Sequence, residues 1–187
     1  ATPMLAEAAL AAIKVEYEPL APVLDVLEAM APDATLVDET NYTKLPEKPE
    51  HPSNVANQGR LERGNIEEGF AAADVVVERE FKCPMAHQGY IEPQACVASI
   101  DEQGRGTVWC STQGHFEFRA ATSKMLGKNL ADLKFVPKEI GGGFGGKTVV
   151  YLEPLAVMLS EKSGRPVKMA LNREEVFRAT GPASASV

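Results

Sequence analysis

The run Gly141-Gly142-Gly143-Phe144-Gly145-Gly146-Lys147-Thr148 sets five glycines around one aromatic and ends on a lysine and a hydroxyl. Glycine reaches positive φ, and without Cβ atoms several backbone N–H groups can converge on one anionic ligand. The run also fits G-x-x-x-x-G-K-[ST], in which loop amides cradle phosphates and the lysine reaches them. The apolar stretch from Val149 to Ser163 predicts a helix whose positive dipole end lies directly behind the loop. An anion-binding loop is the chemistry these residues point to, and the surrounding elements decide which ligand it takes.

A nucleotide hydrolase needs a second buried strand ending in a carboxylate, usually aspartate, to hold magnesium. No aspartate follows Asp132, and the chain after Thr148 is too short for the parallel strands and crossover helices of such a sheet. The strand leading into the loop, Phe135-Val136-Pro137-Lys138-Glu139-Ile140, carries a proline and two charges. A central parallel strand, buried on both faces, is close to continuously apolar. The hydrolase reading therefore fails on context.

Composition narrows the partners. The 187 residues, 44% hydrophobic and 24% charged, are ordinary globular material. A net charge of −7 argues against nucleic acid, whose phosphates demand a basic face. No apolar run reaches the length of a membrane span and no leader pattern opens the chain, so the expected location is the cytoplasm. Cys83, Cys96 and Cys110 are odd in number and widely spaced, which predicts buried free thiols on strands and no disulfide or metal framework. The ends, Ala1-Thr2-Pro3 and Gly181-Pro182 with a run of small residues, read like a segment cut from something longer.

Positioning elements follow from periodicity and punctuation. Helices are expected at residues 4–13, at Val23–Met30 and from an Asn65 cap through Ala73. His115–Leu126 should form another, closed by Gly127, then Val149–Ser163 closed by Gly164, and a last one behind an Asn172 cap. Strands are expected at 14–18, Asp74–Cys83, Ile91–Ile100, Gly106–Thr112, Leu133–Ile140 and Val167–Leu171, with a hairpin turn at 101–106. Residues 41–64, with Pro46, Pro49 and Pro52, read as a linker. The fold class is α+β, with mixed and antiparallel sheets and packed helices.

Thr112-Gln113, then a helix carrying His115 and Arg119, then Gly141-Gly142-Gly143-Phe144-Gly145-Gly146-Lys147, is similar to the large molybdenum-cofactor subunit of the xanthine dehydrogenase and aldehyde oxidase family. His87-Gln88-Gly89-Tyr90-Ile91-Glu92-Pro93-Gln94 and Asn172-Arg173-Glu174-Glu175 resemble further stretches in the same order. The resemblance implies that residues 1–40 are the C-terminal part of a hammerhead-like domain, 41–64 a linker, and 65–187 the N-terminal part of a molybdopterin-binding domain.

The same resemblance implies a molybdenum-pterin, often extended by cytosine dinucleotide, that hydroxylates an aldehyde or aromatic heterocycle with oxygen from water. Gln113 would hydrogen-bond the apical oxo ligand, a neutral donor that does not compete to ligate. Gly142, Gly143, Phe144, Gly145 and Gly146 would approach the cofactor, with Phe144 shielding it from bulk water. Purine-oxidising members carry a glutamate after the loop lysine; Thr148 stands there and disfavours purines, which leaves an aldehyde or another small aromatic as the expected substrate, with carbon monoxide oxidation still open. The base glutamate of the family has no counterpart here, so this segment carries no catalytic residue and no direct metal ligand, and the isolated chain is expected to be inert. Partners would be the rest of the large subunit, iron–sulfur and flavin subunits or domains, and a small substrate.

Plainer roles stand beside these. Gln113 could end a strand and bond backbone, and His87 and His115, lacking ligand spacing, suit structural positions. Arg119 could neutralise a carboxylate, Glu92 could make a strand-end contact, and Lys147 could be a structural cation at a helix start. A stand-alone, non-catalytic domain that binds an anion or a partner through the loop is the alternative function.

Overall fold

The computed structural model describes residues 2–38, 45, 47 and 50–187, which divide into two compact units, Ala1–Glu80 and Phe81–Val187. Most of the start of the expected linker, including Pro46 and Pro49, lies outside the described residues.

In the first unit three short helices are fixed by their caps. Helix α1 (Pro3–Ala12) has proline in its first turn, and Thr2 Oγ1 accepts from the Leu5 amide. Helix α2 (Val26–Ala29) starts later than expected, because Asp25 caps it by accepting from Leu27 and Glu28 at 2.8 and 3.1 Å. Helix α3 (Ile66–Ala71) begins at the expected Asn65 cap. The strand expected at 14–18 does not form, nor does the one at Asp74–Cys83. Val15, Tyr17, Val75, Val76 and Val77 are all exposed. Strand propensity is realised only against a neighbouring strand, and among the described residues neither segment pairs along its length, Cys83 alone forming an isolated bridge.

The second unit is a mixed four-stranded sheet with helices on one face. Strand β1 (Ala95–Ile100) turns through Asp101, whose carboxylate accepts from the Gln103 and Arg105 amides, into antiparallel β2 (Gly106–Cys110). Helix α4 (His115–Leu126) then crosses to β3 (Leu133–Pro137), which runs parallel to β2. Helix α5 (Glu153–Ser163) leads to β4 (Val167–Ala170), antiparallel to β1, giving the order β3-β2-β1-β4. Helix α6 (Arg173–Ala179) opens on a capping box between Asn172 and Glu175. Both Gly127 and Gly164 sit in the left-handed region and end their helices as expected.

Alternation along β1 turns Cys96, Ala98 and Ile100 inward onto Phe118 of α4 and Ala156 and Val157 of α5. Cys96 and Cys110 are buried free thiols, as expected, but Cys83 is exposed because its segment forms only an isolated bridge to Ser186. Among the described residues no helix is long and apolar enough to cross a membrane.

Candidate functional site

Strand β2 ends at Cys110, and the chain then carries Gln113 across to the glycine loop. The Gln113 amide donates to the Lys147 carbonyl at 2.9 Å, while Gln113 Oε1 accepts from the Gly145 and Lys147 amides, each at 3.1 Å. Two donors on Oε1 fix the side-chain amide: its oxygen faces the loop and its Nε2 points away from it. That Nε2 meets no acceptor among the described residues, and Gln113 is exposed.

The loop passes so close to Gln113 that a Cβ on Gly143 would lie 2.6 Å from Oε1. Inside the loop, the Gly146 amide donates to the Gly143 carbonyl at 2.7 Å and the Thr148 hydroxyl to the Gly145 carbonyl at 2.9 Å. The Gly142, Gly143 and Phe144 amides find no acceptor among the described residues. Phe144 takes φ +50°, a region that disfavours side chains, and its ring is 74% exposed. The wall therefore offers a side-chain amide donor, three free backbone donors and an exposed aromatic.

Lys147 does not face that wall. It is 0% exposed, and its ammonium lies 2.6 Å from Glu92 Oε2 and 5.0 Å from the centre of the Tyr90 ring. The same Glu92 oxygen accepts from the Gly141 amide at 2.8 Å, and the Glu92 amide donates back to the Gly141 carbonyl at 3.2 Å. Tyr90 in turn backs the loop, since a Cβ on Gly146 would lie 2.6 Å from its ring.

The segment around Tyr90 is held in place by several bonds. Arg173, at the start of α6, donates to the Tyr90 and Ile91 carbonyls. Tyr90 Oη and His87 Nε2 both lie 3.0 Å from Thr180 Oγ1, which donates to the Val176 carbonyl. The Gly89 amide donates to His87 Nδ1 at 3.1 Å, which orients the ring with Nε2 toward Thr180, a structural role.

Several expectations need correction. The helix does not start directly behind the loop: α5 begins at Glu153, so Lys147 is a structural cation without being a helix-start residue. The N-terminal end of α5 is filled by its own Glu153, 2% exposed, whose carboxylate accepts from the Tyr151 amide at 3.1 Å. Burial pushes the Glu153 pKa up, opposed by the backbone N–H groups of Glu153, Tyr151 and Leu152. Arg119 reaches no carboxylate, and its buried Nε has no partner among the described residues. His115 packs against the neighbouring Phe116 ring, and no cluster of metal ligands exists among the described residues.

The Glu92–Lys147 pair escaped sequence reasoning because the two residues lie on separate segments. The one available signal was a lysine adjoining a glycine run with no downstream acidic strand end. Glu92 was expected only as a strand-end contact, and it lies just ahead of β1 with its carboxylate on the loop.

A family model described as a molybdopterin cofactor-binding domain matches residues 47–187. The chain is 31% identical over 178 residues to a probable xanthine dehydrogenase subunit of Bacillus subtilis (strain 168), covering 95% of this chain and 22% of the relative. It is 32% identical over 181 residues to the carbon monoxide dehydrogenase large chain of Hydrogenophaga pseudoflava, covering 94% and 22%. Quinoline 2-oxidoreductase from Pseudomonas putida 86 superposes with a TM-score of 0.76 at 26% identity, covering 98% of this chain and 22% of that one. The chain thus spans about a fifth of the length of these relatives.

Proposed function

The chain belongs to the molybdopterin cofactor-binding domain family, and on that premise we propose that Gln113 and the loop Gly141–Thr148 form one wall of a molybdenum-pterin pocket in a longer molybdenum hydroxylase large subunit. The observation that carries the reading is the orientation of Gln113, with Oε1 tied to the loop and Nε2 free on the other side.

The residues suit such a group. An oxygen-rich cofactor needs neutral donors that do not ligate, and Gln113 Nε2 with the free amides of Gly142, Gly143 and Phe144 supplies them. Glycine at 143 and 146 lets the loop backbone pack directly against Gln113 and Tyr90, which hold the wall in place, while Phe144 adds an apolar edge that excludes water. When bound, the cofactor would supply Lewis-acid polarisation and accept the electrons of substrate oxidation.

Residues 1–40 would be the tail of a hammerhead-like domain, 41–64 a linker and 65–187 the first part of the pterin-binding domain. The holoenzyme would be cytoplasmic, carry the cytosine dinucleotide form of the pterin and pass electrons to iron–sulfur and flavin partners. We assign no catalytic base to this segment. Thr148, whose hydroxyl donates to the Gly145 carbonyl, supplies no carboxylate to a purine, so the substrate class is an aldehyde or a non-purine heterocycle.

The test is a substrate comparison in the longer protein purified with molybdenum. Aldehydes or simple heterocycles should turn over faster than xanthine, and Thr148→Glu should move the ratio toward xanthine. Faster xanthine turnover by the unsubstituted protein would overturn the substrate assignment.

A further inference from the structure

One oxygen of Glu92 touches both ends of the glycine loop, receiving the N–H of Gly141 at 2.8 Å and the ammonium of Lys147 at 2.6 Å. Lys147 then passes the constraint on through its backbone, since its N–H and carbonyl bond Gln113 Oε1 and the Gln113 amide. We infer that the Glu92–Lys147 pair is a clasp that positions the loop and thereby the Gln113 side-chain amide, which makes Glu92 and Lys147 positioning residues for the wall they do not face.

The physical ground is that a buried ammonium has no tolerable alternative to its partner. Lys147 is fully buried, and Glu92 is the one anion paired with it among the described residues. If the carboxylate is neutralised by substitution, the ammonium must seek water, which drags the Lys147 backbone away from Gln113 Oε1. The Gly141 amide loses a charged acceptor in the same event. Gln113 is then free to rotate, and the donor on the open side of the wall is no longer fixed. This also explains why the lysine of a phosphate-loop-like run reaches no anion from solution: its charge is already compensated inside.

A pair that only stabilises the fold would behave differently. Replacing both members with apolar residues of similar volume generally restores global stability, but it restores neither the acceptor for Gly141 nor the Glu92–Lys147 contact that holds the Lys147 backbone against Gln113. The significance for a bound pterin rests on the reading proposed above; the clasp itself is measured without cofactor, so either can fail while the other stands.

The experiment is amide hydrogen exchange with side-chain NMR on the 187-residue chain, comparing the parent, Glu92→Gln and the double variant Glu92→Leu/Lys147→Met. The double variant should keep the protection of Val108 in the core strand, while Gly145 and Lys147 amides exchange at least about tenfold faster and the Gln113 side-chain amide resonances move. Glu92→Gln should produce the same loop-specific loss. Parent-like loop exchange and Gln113 resonances in either variant would overturn the clasp. In the parent, the Lys147 ammonium should give a resolved, slowly exchanging signal, and its absence would overturn the clasp even if both variants failed to fold.

Discussion

Gln113 and Lys147 are joined twice, by the Gln113 amide on the Lys147 carbonyl at 2.9 Å and the Lys147 amide on Gln113 Oε1 at 3.1 Å. This paired contact stitches the segment after β2 to the end of the glycine loop. Its side-chain half sets which face of the glutamine amide looks outward, so the site depends on how closely two backbones approach.

Close approach predicts unequal costs for alanine along the loop. At Gly146 a Cβ would press at 2.6 Å on the ring of Tyr90, which is buried and anchored through Thr180 and Gln94. Gly146→Ala should therefore lower unfolding free energy by about 1–3 kcal/mol, as overpacking does. At Gly143 the obstructing atoms belong to the exposed Gln113 side chain, which can swing aside. Gly143→Ala should cost less stability while moving the Gln113 side-chain resonances more; denaturant titration and NMR separate the two.

Glu153 predicts a pH effect on stability. Its folded pKa is raised above the ordinary 4.5 by burial, so the folded state holds the proton more tightly than the unfolded chain. Its contribution is fully present below that ordinary value and is lost as pH rises through the raised folded pKa. Glu153→Gln keeps an acceptor for the Tyr151 amide and removes the charge. The stability of the variant relative to the parent should grow across that window by about 1.4 kcal/mol for every pH unit the window spans, then level off above it. A constant difference across the window would contradict this assignment.

The cysteines should differ sharply in reactivity. Burial first, then the Glu153 charge, pushes the Cys96 and Cys110 thiols up to about 12, whereas Cys83 is exposed. Thiolate is the reactive form. Iodoacetamide at about pH 8 should label Cys83 alone in the folded chain and all three thiols after denaturation, read by mass spectrometry.

What the sequence revealed divides along physical lines. Helix ends with a local cap signal, the starts behind Asn65 and Asn172 and the stops at Gly127 and Gly164, stood where expected because caps act within one turn. The hairpin around Asp101 was legible for the same reason. Residues 14–18 and Asp74–Cys83 misled because alternation and valine content announce a strand without naming a partner. At the site, the glycine run and Gln113 were visible as residue types, and the structure brings them within hydrogen-bonding distance. A structural role for Lys147 was open in the sequence, but its inward turn onto Glu92 and Tyr90 was not visible, because nothing local marks a half-buried carboxylate partner on a separate segment. Nor was the burial of Glu153 at the start of α5, where a first-turn acid normally faces water.

The central claim is that the free face of the Gln113 amide addresses a molybdenum-pterin, and it is tested most directly by Gln113→Ala in the longer protein. Molybdenum per subunit and turnover should be measured together with thermal stability. Molybdenum retention or turnover should fall by about 10–100-fold, the usual effect of losing a residue that supports a metal's ligand sphere, while the fold survives. Parent-level molybdenum and turnover in a folded Gln113→Ala protein would contradict it.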